Sequence, residues 1–173
     1  MTPTLAELFD SLPRSGRVTW LGARSARRAP LTACDRLILD AASGIAGDHY
    51  AGRSGRRQVT LVQHEHLAVL AALLARDDID PALLRRNVVV AGINLLALAK
   101  RRFRMGATLL EGTGACHPCS RMEETFGAGG YNAVRGHGGI TARVISGGIV
   151  HLGDTVTLLP ARPDTAVSCA VAS

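Results

Sequence analysis

Lysine is almost missing from this chain: Lys100 is the only one among 20 basic residues, so the positive charge is carried by arginine. The formal net charge is +6, and guanidinium forks suit two-point binding of phosphate or carboxylate. A coding bias toward Arg and Ala explains the same composition. Lys100 is followed by Arg101, Arg102 and Arg104, with no sign of a Schiff-base site. Aromatics make up 3% of the chain, too few to interleave with its dispersed arginines as stacking platforms for bases. Nucleic acid is therefore not expected as a partner, and an anionic small ligand is. The same scarcity leaves the core to aliphatic side chains, Ala and Gly. Long hydrophobic runs are also lacking. Leu67–Ala75 and Val88–Ala99 are too short or too interrupted to span a bilayer, so no membrane partner is expected. Met1–Leu5 has neither the basic region nor the apolar stretch of a secretion signal. The few cysteines, Cys34, Cys116, Cys119 and Cys169, are expected to be reduced thiols in the cytoplasm.

What is present fits one domain with a sizeable core, given 173 residues. Nineteen glycines point to many turns. Strands are expected at Arg17–Leu21, Arg36–Ala41, Gln58–Val62, Asn87–Ala91, Arg101–Arg104, Ala107–Gly112, Ile140–Ser146 and Thr155–Leu159. Helices are expected at Thr4–Leu12, at His64–Ala75 from the spacing of Leu67, Leu70, Ala71 and Leu74, and at Ser120–Phe126. Shorter helical turns follow Pro81 and Gly92. The fold class is mainly β or α+β, a β-barrel-like domain with a few inserted short helices. Residues 1–15 read as a lead-in, 16–160 as the domain and 161–173 as a disordered tail.

Cys119 is the leading candidate for chemistry. Small residues and Pro118 deliver it, and a helix start follows at once, read as Ser120 at the N-cap with Glu123 closing a capping box. A cysteine beside a helix N-terminus meets unpaired N–H groups and the positive end of the dipole, and Arg121 adds charge. Thiolate is the form that ligates soft metals and attacks sulfur. The competing reading is an inert, buried thiol.

Cys116-His117-Pro118-Cys119 is formally a C-x-x-C. Its helix begins after the second cysteine, the wrong register for a thioredoxin-like site. A structural zinc site needs further ligands, for which His49, His64, His66 and His137 are available. His64-Glu65-His66 is not a metalloprotease motif, since histidines two apart on a helix point to different faces. The glycine loops Gly44–Gly52 and Gly127–Gly139 lack Walker or dinucleotide spacing. They are either ordinary turns or anion-binding concavities, with Arg53, Arg56, Arg57 and Arg135 close in sequence.

An ordered series of segments resembles a known family. The series is Gly44–His49, Arg57–Leu61, Arg86–Ile93, Met105–Ala107, Pro118-Cys119 before a short helix, Gly138–Val144 and Gly153–Val156. From about Gly16 to Leu159 the chain resembles a MOSC domain, the C-terminal domain of molybdenum cofactor sulfurases, also found as stand-alone bacterial proteins. The resemblance implies a strand-rich fold built round a barrel. It also implies that Cys119 is the family's essential cysteine, which carries a persulfide sulfur or ligates the molybdenum of a bound pterin cofactor. In relatives this serves sulfur transfer or the reduction of N-hydroxylated compounds. Arg57, Arg86, Asn87, Arg121, Gly138 and Gly139 are then the expected cofactor-binding residues. The chain lacks the pyridoxal-phosphate domain fused to MOSC in the eukaryotic enzymes, so pyridoxal phosphate is not expected. It also lacks a flavin, haem or iron–sulfur motif, so a separate electron-donor or sulfur-donor protein is implied. A non-catalytic cofactor or sulfur carrier and a small structural zinc protein are the alternatives.

Overall fold

The computed structural model describes residues 2–50 and 54–161. In chain order its elements are α1 (Leu5–Asp10), β1 (Gly16–Ala23), β2 (Thr32–Ala33), β3 (Arg36–Asp40), β4 (Gly44–Ile45), β5 (Val59–Gln63) and α2 (His64–Leu73). They continue with β6 (Val88–Ala91), β7 (Arg102–Met105), β8 (Thr108–Ala115), α3 (Ser120–Phe126) and α4 (Gly130–Val134). The last three are β9 (Ile140–Ser146), β10 (Gly148–His151) and β11 (Thr155–Leu158). Single 3-10 turns occur at Pro81–Leu84 and Leu95–Leu98. The expected tail at 161–173 and Cys169 lie, apart from Ala161, outside the described residues.

Seven strands close into a mixed barrel in the order β1, β11, β7, β8, β9, β5, β6 and back to β1. One pair, β5 with β6, is parallel; the rest are antiparallel. A parallel neighbour needs a long crossover, and α2 with the 3-10 turn at Pro81–Leu84 supplies it. The second, three-stranded sheet runs β10-β3-β4.

This topology explains the uninterrupted apolar run at Val88–Val90. Val88 and Val90 join the barrel core with Leu61, Phe103, Leu110 and Ile140. Val89 points the other way, into a second core with Val62, Leu70, Leu84, Met122 and Phe126. A strand covered on both faces has no polar side to present. Alternation survives on β3, where Leu37 and Leu39 join the barrel core and Ile38 is exposed. Helices α2, α3 and α4 therefore pack outside the barrel, over the parallel pair, and their second core anchors α3 through Met122 and Phe126.

Among the described residues no helix is long and apolar enough to cross a membrane.

Candidate functional site

Strand β8 ends at Ala115, and the chain then runs extended through Pro118 to the start of α3. Cys116 is buried, and its N–H donates to the Gly139 carbonyl at 2.8 Å. Cys119 is exposed and is itself the N-cap of α3, with extended backbone and no side-chain cap bond. The capping box expected at Ser120 is not formed. Ser120 is the first helical residue, and the Glu123 carboxylate instead accepts the N–H groups of Gly129 and Tyr131, each at 2.8 Å. Those bonds lower the Glu123 pKa and tie α3 to α4. Met122 and Phe126, four apart on one helix face, fix α3 against the second core.

Cys119 opens onto a cavity of about 420 Å³. Its walls come from four places: Arg24 after β1; Asp48 and Tyr50 after β4; Arg57 and Thr60 at β5; and Arg85, Arg86 and Asn87 before β6. Arg121 and Met122 complete it beside Cys119.

Arg86 is buried without a carboxylate. Its Nε donates to the Gly138 carbonyl at 2.8 Å, its Nη1 to Leu84 at 2.8 Å and its Nη2 to Cys116 at 3.4 Å. A guanidinium has five N–H groups, so two remain for a ligand. Burial lowers the Arg86 pKa, and the nearby Arg57 charge adds to it. A buried cation held only by carbonyl dipoles is a site that welcomes an anion. Arg57 reaches the buried thiol from the solvent side, with Nη2 3.6 Å from Cys116 Sγ.

Asn87 has a different task. Its Oδ1 accepts from the Thr60 N–H at 3.2 Å and hydroxyl at 2.8 Å, and its Nδ2 donates to the Gly22 carbonyl at 3.2 Å. It therefore clamps β1, β5 and the start of β6 together. Gly138 and Gly139 lie behind the cavity rather than on its wall. A Cβ on Gly138 would stand 2.2 Å from the Cys116 carbonyl oxygen, and one on Gly139 1.8 Å from that of Leu61. These positions have room for glycine only, and their carbonyls hold Arg86 and Cys116.

The structure thus brings Cys119, Arg57, Arg86, Asn87 and Arg121 to one cavity and sets Gly138 and Gly139 in its supporting layer. Arg24, Asp48, Tyr50 and Arg85 were not singled out by sequence. Arg24 belongs to the basic loop Gly22–Pro30, and Asp48 to the glycine loop after β4. The doublet Arg85-Arg86 was the signal for Arg85. For the zinc alternative, no three His, Cys, Asp or Glu side chains are grouped to hold a metal among the described residues. His66 packs edge-on against His137 instead, with ring centroids 4.9 Å apart.

Comparison with known proteins agrees with this fold. A crystal structure of the YuaD protein from Bacillus subtilis is similar at a TM-score of 0.74 and 22% identity, over 84% of this chain and 96% of that one. YiiM from Escherichia coli matches at 0.68 and 19% identity, over 88% of this chain and 73% of that one. YiiM from Geobacillus stearothermophilus matches at 0.68 and 12% identity, over 83% of this chain and 75% of that one. A search of curated proteins finds no match. The family model for the MOSC domain matches residues 45–157, and the chain belongs to the MOSC domain family.

Proposed function

We propose that this protein binds a molybdenum–pterin cofactor, takes its metal on the Cys119 thiolate, and reduces small N-hydroxylated compounds with electrons from a separate donor protein. The observation that supports this reading is one exposed thiol opening onto an arginine-lined cavity. Among the described residues none of those arginines is ion-paired to a carboxylate. The donor set fits a group that carries both a soft metal and a phosphate. Thiolate suits the one, and guanidinium forks suit the other. The buried Arg86 charge favours the same ligand, because an anion beside it supplies the negative charge its carbonyl partners lack.

When bound, the cofactor supplies redox chemistry at its metal. The chain does the rest. Cys119, exposed at the cavity wall, provides the protein ligand. Arg57 and Arg121, on the cavity lining, supply further guanidinium groups for the phosphate. Arg86 adds a fixed positive field and two N–H groups. Asn87 keeps the Arg86 backbone in register with β1 and β5, and the Gly138 carbonyl keeps the guanidinium aimed.

The test is metal and pterin analysis of protein purified from a host that makes the cofactor, followed by turnover with a reduced dye and a hydroxylamine. Cys119→Ser is expected to lose molybdenum and turnover with its thermal melt unchanged. Cys116→Ser is expected to keep both, since only one thiolate is needed at the metal. Protein from such a host that carries neither molybdenum nor pterin overturns the reading. Molybdenum with a labile sulfur on Cys119 and no turnover converts it to sulfur relay.

A further inference from the structure

A second concavity, of about 500 Å³, continues outward from the Cys119 cavity. The two share Arg24, Tyr50, Arg85 and Arg121, and the outer one adds Arg27, Arg28 and His49. The inner cavity is already large enough for one small ligand. The outer trough adds a further lining beyond that volume.

Charge says what kind. Elsewhere on the molecule arginines meet acids: Arg101 pairs with Asp10, and Arg102 and Arg143 both pair with Glu111. On this face the pattern stops. Among the described residues none of the five trough arginines is ion-paired. Among the described residues the one carboxylate on either lining is Asp48. Its oxygens are taken by backbone N–H groups, Oδ1 by Arg24 at 2.9 Å and Oδ2 by Tyr50 at 3.0 Å. Arg85, on the lining of both concavities, has a left-handed backbone (φ 60°) at the end of the 3-10 turn. Five guanidiniums round one concave surface concentrate anions. Their fork geometry matches the several oxygens of a phosphate better than a single carboxylate does.

We infer that the outer trough is a phosphate subsite, held chiefly by Arg27, Arg28, Arg85 and Arg121, for a phosphate on the molecule that enters past Cys119. The last clause rests on the function proposed above; the subsite does not. The phosphate has two possible sources. One is a phosphorylated substrate, and the other is a second phosphate on an extended form of the bound cofactor.

Inorganic pyrophosphate titrated calorimetrically into the unloaded full chain tests the subsite. Arg27 and Arg28 are exposed, lie outside the inner cavity and belong to neither core, so the double variant Arg27→Gln/Arg28→Gln is expected to melt like the parent. Its pyrophosphate affinity is expected to fall by at least about tenfold, the loss of one or two charge-assisted hydrogen bonds. Equal affinity in parent and variant overturns the subsite. Loaded protein separates the sources. For a substrate phosphate, KM for a phosphorylated N-hydroxylated compound rises in the variant, while KM for its dephosphorylated form and both kcat values stay unchanged. For a cofactor phosphate, molybdenum content falls and the KM ratio does not move. A parent protein that binds pyrophosphate through these arginines but never acquires molybdenum overturns the proposed function and supports the subsite.

Discussion

Replacing Gly139 by alanine should damage this protein far more than the same change three residues earlier. Gly139 and Gly136 both have positive φ, 83° and 86°. An alanine forced into that region costs about 1–2 kcal/mol at either position. The surroundings differ. Around Gly136 a new Cβ meets nothing within 4 Å. At Gly139 it meets the Leu61 carbonyl oxygen at 1.8 Å and Val62 Cα at 2.9 Å. These are backbone atoms of β5, paired to β6 on one side and β9 on the other, so they cannot swing away as a side-chain tip would. Forcing atoms into a packed core costs about 1–3 kcal/mol more. Gly139→Ala should therefore lose about 2–5 kcal/mol and Gly136→Ala about 1–2 kcal/mol. Urea unfolding measures both, with the difference read from the midpoints at unchanged slope. The shift should also reach the site, because the neighbouring carbonyls hold Arg86 and Cys116. Equal losses at the two positions, within about 0.5 kcal/mol, would refute the steric argument, since independent effects of this size are normally separable.

Three other outcomes are expected. Alkylation at neutral pH with mass mapping should label Cys119 ahead of Cys34 and Cys116; Cys116, at 2% exposure, reacting first would contradict the structure. Asn87→Ala leaves the Thr60 N–H and hydroxyl and the Gly22 carbonyl without their buried partner, and should cost about 2–3 kcal/mol in chemical denaturation. Burial, with the nearby His137 charge, lowers the His66 pKa below its usual 6.5, so the folded state binds fewer protons than the unfolded chain near that pH. Stability is then whole above about pH 6.5 and falls as pH drops toward the lowered value; thermal melts between pH 7.5 and 5 should show this slope, and His66→Gln should flatten it.

The long strands and helices were readable because their patterns are local. Val59–Gln63 is β-branched, α2 carries leucines at helical spacing, and α3 spans Ser120–Phe126 as expected. The strands β2, β4 and β10 were not readable. β2 and β4 have two residues each, too few to show a period, and β10 is held by a partner distant in sequence, Leu37 of β3 pairing with Val150. Helix α4 was hidden in what reads as a glycine loop, and the Glu123 carboxylate fixes its start from another element. The same carboxylate explains the misread cap, for it had a longer-range use than the local box. At the site, five of the expected residues, Cys119, Arg57, Arg86, Asn87 and Arg121, share one cavity. Asn87, expected as a cofactor-binding residue, lines the cavity and also clamps the barrel, because its partners Thr60 and Gly22 are brought beside it only by the fold. Arg24 and Tyr50 entered the wall through loops whose positions no local pattern specifies.

The barrel has an unequal ring of joints. One joint, β7–β8, is a tight hairpin, whereas β1 meets β11 through only two laddered residue pairs, Gly16 with Val156 and Arg17 with Thr155. Those partners come from opposite ends of the described chain. Loop closure makes such a contact the slowest to form, while adjacent hairpins assemble in microseconds. During synthesis the ring must wait for β11 before it can shut, and until then the edges of β1 and β7 stand open to other chains. The same joint is where the finished ring should first come apart. Amide exchange there should report openings far below the cost of global unfolding, while β5 and β6, between the two cores, keep the longest protection.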